Sequence, residues 1–80
     1  MKGLVVGRSV HYIPQTTDHE LPYHFGHLAA IISYIYDADN AFVQLKIFPA
    51  EPIGAIHSRD AYYSNYKLSG TWHWIEKENG

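Results

Sequence analysis

The chain has no cysteine. That excludes disulfide staples, cysteine-ligated zinc and thiol catalysis, and it suits a reducing compartment. Basic residues are few: Lys and Arg total six against eight Asp and Glu, giving a formal net charge of −2. A protein that tracks a DNA or RNA backbone carries a basic face, so long nucleic acid is not an expected partner. A single small anion needs only one or two arginines and some backbone N–H groups. Long apolar runs are missing as well. Leu4-Val5-Val6 is broken by Gly7 and Arg8, too short for a signal peptide. Leu28 to Tyr36 contains Ser33 and falls far short of a membrane span. The expectation is a soluble, intracellular protein acting in the cytoplasm.

Catalytic signatures are absent too. None of Ser9, Ser33, Ser58, Ser64 and Ser69 sits in a Gly-x-Ser-x-Gly elbow. Gly3-x-x-x-Gly7 lacks the lysine-serine continuation of a phosphate loop. Asp18-His19-Glu20 has groups suited to proton transfer but lies in a polar loop. An enzyme is not expected, and no cofactor is called for.

What is present is size without reserve and a high aromatic content. Eighty residues make a single domain, 1–80, and a chain of that length buries only about 60% of its unfolded surface. Without cysteine, stability must come from aromatic packing, a histidine-bound metal or self-association. Aromatics are 15% of the chain, seven of them tyrosine. These points favour a homo-oligomer, a dimer or tetramer.

Leu4 to Ile13 (LVVGRSVHYI) is rich in β-branched and aromatic residues and ends at Pro14, the pattern of a strand. Val6, Arg8, Val10 and Tyr12 share one face of it, while Gly7 marks a bulge or a close backbone approach. Residues 14–26 form a long polar loop of the kind that often carries function. Leu28 to Tyr36 and Ala41 to Phe48 read as a hairpin around an Asp37-Ala38-Asp39-Asn40 turn, with Val43, Leu45 and Ile47 on one face. Residues 49–54 link onward. Ile56-His57-Ser58 reads as a short strand, Asp60 to Tyr63 as a turn or short helix, Thr71 to Glu76 as a closing strand, and residues 77–80 as a disordered tail. Four to six short strands predict an all-β fold, a small SH3-like barrel or a strongly curved antiparallel sheet. In an SH3-like arrangement the first and last strands adjoin, placing His11 and Tyr12 near Trp72, His73 and Trp74.

Both tryptophans lie in Gly70-Thr71-Trp72-His73-Trp74-Ile75-Glu76. On a strand Trp72 and Trp74 share one face and His73 points to the other. That face is either core or a stacking platform for a flat ring, and both hold together if the indole body is buried and its N–H edge stays free. The six histidines, His11, His19, His24, His27, His57 and His73, show neither His-Glu-x-x-His nor His-x-His spacing. His24 and His27 lie three apart, but Phe25-Gly26 between them argues against a helix. No metal site is therefore read from the sequence, since a structural zinc site wants four ligands in defined geometry. Ser58-Arg59-Asp60, taken as a loop, either offers a hydroxyl and a guanidinium to a phosphate or pairs Arg59 with Asp60 in solvent.

Two motifs together carry a resemblance. Val6-Gly7-Arg8-Ser9-Val10-His11-Tyr12 and Gly70-Thr71-Trp72-His73-Trp74 resemble the bookends of a family of short phage and prophage proteins, in which VGRxVHY opens and GTWHWP closes around a hairpin core. Leu28 to Ile32 resembles that family's first hairpin strand, and Pro52-Ile53-Gly54 its Asn-Pro-x-Gly turn. The similarity spans roughly residues 5–75. Ile75 replaces the usual proline, and no asparagine precedes Pro52. The group is similar in turn to small phage sponge proteins that sequester the cyclic nucleotide signals of bacterial anti-phage defence, as oligomers that bind the signal without cleaving it. The resemblance implies a cyclic di- or oligonucleotide, or a cyclic ADP-ribose-type signal, as ligand. The residues suited to it are Tyr12, Trp72 and Trp74 for stacking, Arg8 and Arg59 for phosphate, and His11, Ser58 and His73 for polar contacts. The alternative is a phage structural or accessory module that uses its aromatics to bind another protein.

Overall fold

A computed structural model describes residues 2–15, 27–48 and 56–75. The strands are β1 (Ser9–Tyr12), β2 (Leu28–Asp37), β3 (Phe42–Phe48), β4 (His57–Tyr62) and β5 (Trp72–His73). They form one sheet in the order β4-β3-β2-β1-β5, every pairing antiparallel. The sheet curls strongly into a half-barrel, and the described residues contain no helix.

Alternation builds the core. Val10 and Tyr12 of β1, Leu28, Ala30 and Ile32 of β2, Val43, Leu45 and Ile47 of β3, and Ala61 of β4 point inward and are buried with Trp72 of β5. The register explains why they meet: Val10 lies opposite Ala30, Ala30 opposite Ile47, and Ile32 opposite Leu45. Register shifts between Ile32 and Tyr34 and between Ile35 and Asp37 mark bulges in β2, and bulges increase local twist. The sheet curls far enough for Tyr63, one residue past β4, to form a parallel bridge with Trp72. The Ser64 N–H also donates to the Trp72 carbonyl at 2.9 Å.

The hairpin matches the sequence expectation closely. Its turn is held by the Asp37 carboxylate, which accepts from the backbone N–H groups of Asp39 and Asn40 and from the Asn40 side-chain amide. These bonds, the Asn40 amide first, hold the Asp37 carboxyl below its ordinary range. Ala41 closes the turn at φ +53 and is itself buried.

Three elements differ from expectation. The first strand is shorter than Leu4 to Ile13. Gly7 sits in a turn at φ +93, its N–H donating to the Ile32 carbonyl at 2.7 Å, so the chain turns before pairing and leaves Val6 exposed. Asp60 to Tyr63 is neither turn nor helix. Asp60, Ala61 and Tyr62 pair with Gln44, Val43 and Phe42, so a neighbouring strand overrides a weak local preference. The closing strand is only Trp72–His73, because β1 offers it just Tyr12 and His11 as partners. The tail 77–80 lies outside the described residues, as do most of the 14–26 and 49–54 connections.

Residues 68–71 clamp the chain just after β1. The Gly70 N–H donates to the Ile13 carbonyl at 2.7 Å and the Ile13 N–H to the Thr71 carbonyl at 3.0 Å. Gly70 stands at φ +78, and a Cβ there would crowd the Gln15 side chain. The left-handed backbone alone makes Gly70→Ala cost about 1–2 kcal/mol, and the crowding of Gln15 adds to it. Thermal melting should fall by roughly 5–15 °C. An unchanged melting temperature would contradict the left-handed conformation.

Candidate functional site

The antiparallel pairing of β1 with β5 sets His11 opposite His73 and Tyr12 opposite Trp72. The expected meeting of the two end motifs is therefore real. Parity then sorts the side chains. Tyr12 and Trp72 turn into the core, at 3% and 0% exposure. His11 and His73 turn to the other face, His11 half-buried and His73 at 3% exposure.

Trp72 is the plug of the half-barrel. Its indole N–H donates to the Ala41 carbonyl at 3.0 Å, and Tyr63 stands edge-on to its ring at 5.1 Å. Trp74, one residue past β5, is half-buried and sits edge-on to Trp72, with ring centroids 5.0 Å apart and planes at 86°. The exposed Arg8 places its guanidinium 5.2 Å from the centroid of the Trp74 ring, a cation–π geometry.

Arg8, His11, Tyr12, Trp72, His73 and Trp74 thus gather at one edge of the sheet. Ser58 and Arg59 lie on β4, at the other end of the strand order from β5, although the curl brings Tyr63, just past β4, onto Trp72. They also point to opposite faces of β4, Ser58 outward and Arg59 inward opposite Leu45. Ser58 is engaged by the Lys46 ammonium at 2.7 Å, and the Arg59 Nη1 donates to the Ser58 carbonyl at 2.8 Å. Asp60 accepts from the Tyr36 hydroxyl at 2.9 Å rather than pairing with Arg59, and that bond pushes the Tyr36 phenol above its ordinary range.

The sequence reading missed two groupings. One is a row of aromatics across the outer face: Tyr34 and Tyr36 of β2, Phe42 of β3 and Tyr62 of β4. Successive centroids lie 5.2, 5.2 and 4.3 Å apart, the last pair stacked. Tyr34 and Tyr62 are each 56% exposed. Spacing of two along β2 signals the first pair, but Tyr62 is legible only once Asp60 to Tyr63 is known to be strand. The other is His27, which stands just before β2 on the face shared by His11 and His73. Its Nδ1 lies 3.1 Å from the His73 Nε2.

Among the described residues no helix is long and apolar enough to cross a membrane. Comparison with known proteins finds no matching family model, no similar curated protein and no similar solved structure.

Proposed function

We propose that this chain is a phage immune-evasion sponge. It binds a cyclic nucleotide signal of bacterial anti-phage defence in the cytoplasm of the infected host and holds it without cleaving it. The observation that carries this reading is the Arg8–Trp74 unit. A guanidinium held near an indole brings a charge-assisted donor for phosphate beside a half-buried ring on which a base can stack. Base stacking contributes roughly 1–3 kcal/mol per base, and a charge-assisted bond to phosphate about 1.5–3 kcal/mol. Nanomolar sequestration needs about −12 kcal/mol, so one such unit falls short. Two units related by a two-fold axis supply about 5–12 kcal/mol, so nanomolar binding of a nearly two-fold ligand needs the top of that range or further polar contacts. Ligand pockets of about 300–1,000 Å³ are also more easily built between copies of so small a domain than within one.

The test is isothermal titration of the purified protein against cyclic di- and trinucleotides and cyclic ADP-ribose isomers, with recovery of the ligand after denaturation. Tight binding of at least one and its intact recovery are expected. No heat and no thermal shift with any of them would overturn the reading, and recovery of a hydrolysed ligand would replace a sponge with a nuclease.

A second reading is favoured by the aromatic row Tyr34, Tyr36, Phe42 and Tyr62, since interface cores are enriched in such side chains. It makes the chain a phage structural or accessory module. It calls for co-purification with a protein partner and silence in the nucleotide titration.

A further inference from the structure

We propose that His11, His27 and His73 form a binding site for a first-row transition-metal dication of the zinc class, with a fourth position open to water. This inference does not depend on the Arg8–Trp74 unit that carries the nucleotide reading, although it draws on His11 and His73, which that reading assigns to polar contacts.

The three residues come from three separate segments, and the sheet register brings them to one face. His73 lies directly opposite His11 across the β1–β5 pair. Ala29 lies directly opposite His11 across the β1–β2 pair, so His27, two residues earlier, is the diagonal neighbour on the same face. Ala29 carries only a methyl group and leaves room for the rings on either side. The rings pack edge-to-face, with centroids 5.5 Å apart for His11 and His27, 5.6 Å for His11 and His73, and 4.7 Å for His27 and His73. One ring nitrogen from each converges, all three within 4.8 Å of one another.

That spacing suits a metal. Zinc–nitrogen bonds of about 2.0–2.1 Å in tetrahedral geometry put ligand nitrogens roughly 3.3–3.4 Å apart. The His73 Nε2 and His27 Nδ1 are already at 3.1 Å. The His11 nitrogen, within 4.8 Å of both, closes the set by a ring movement on the order of 1 Å. Between two neutral imidazoles the 3.1 Å contact is also an ordinary N–H···N hydrogen bond. The third nitrogen converging on the same point is what a pairwise bond does not require.

The donor set decides the ion. Three neutral imidazoles suit zinc, copper or nickel and offer nothing to magnesium or calcium, which want oxygen. Burial decides the geometry. His73 is 3% exposed and closes the inner side, while His27 is exposed and leaves the outer side to solvent. Among the described residues the site has three protein ligands, and three ligands plus an exchangeable water is the arrangement of an open site rather than a closed structural one. The gain to the protein is a cross-link tying the two-residue β5 to β1 and to the start of β2. A domain too small for a large core and lacking cysteine has few other staples.

Zinc titration of tag-free, chelator-treated protein, read by calorimetry and thermal melting, tests the site alongside His11→Gln and His27→Gln. We expect one zinc per chain and a rise in melting temperature on the order of 10 °C at a hundredfold excess over Kd. Cobalt should give the intense visible absorption of four-coordinate nitrogen ligation, and magnesium should leave melting unchanged. Each substitution should weaken zinc by at least about 100-fold. His27→Gln removes the hydrogen-bond partner of the buried His73, so the zinc-induced shift of each variant is read against that variant's own metal-free melting curve, which separates ligand loss from misfolding. Absence of stoichiometric zinc, or binding that survives either substitution unchanged, would overturn the site and leave a hydrogen-bonded imidazole cluster.

Discussion

Trp72→Ala is expected to unfold the domain at ordinary temperature. The side chain is fully buried, and removing a buried tryptophan costs about 3–5 kcal/mol. At roughly 0.05–0.15 kcal/mol per residue, a domain of this length holds only about 4–12 kcal/mol in total, and small domains sit low in that range. The substitution removes the plug against which Tyr63 and Trp74 stand edge-on, so the half-barrel loses its inner wall and its closing contact together. Trp72→Phe separates packing from hydrogen bonding. It keeps a ring in place and deletes the donor to Ala41. The Ala41 carbonyl still accepts from the Tyr63 N–H at 3.2 Å, so it is not orphaned, and the expected cost falls to about 1–2 kcal/mol. Urea denaturation followed by far-ultraviolet circular dichroism measures both. A Trp72→Ala protein within about 1 kcal/mol of the parent would contradict the placement of this ring.

The second large effect is on binding and concerns the other tryptophan. Arg8→Ala should leave stability within about 0.5 kcal/mol, because the side chain is exposed. It should weaken nucleotide binding by roughly 10- to 100-fold, the equivalent of one charge-assisted phosphate bond. Trp74→Ala costs about 1–2 kcal/mol of stability, since a half-buried ring gives up part of its apolar contact. The protein should remain folded and bind at least as poorly. The proposed sponge requires this split between Trp72, whose loss costs folding, and Trp74, whose loss costs mainly binding. Should both variants fold and bind as the parent does, the Arg8–Trp74 unit is not the ligand site.

Much of the fold is legible in the chain because local rules reach far in a β protein. The Asp37–Asn40 turn, the alternation of Val43, Leu45 and Ile47, and the β-branched run ending at Tyr12 all announce strands by composition and period. The segment from Asp60 to Tyr63 does not. Asp and Ala disfavour strands, and only pairing with Gln44 and Val43 makes them one. The same strand sends Ser58 and Arg59 to opposite faces, where a loop would let them converge. The candidate site is legible in halves: the motifs ending in Tyr12 and beginning at Gly70 are visibly related, and their adjacency follows from the fold class. His27 is not legible at all, because its partners are 16 and 46 positions away along the chain.

By itself, then, the sequence determined the class of the fold, the faces of its hairpin and the absence of cysteine chemistry, because composition and a two-residue period act over a few neighbouring positions. Tertiary structure alone decided which tryptophan is core. Trp72 and Trp74 have the same parity and composition, and they diverge only because β5 ends after His73, leaving the second indole beside Arg8. It also decided that three histidines without any sequence spacing in common meet within 4.8 Å. Cross-strand register brings them together, and register is a property of paired strands that no single strand encodes.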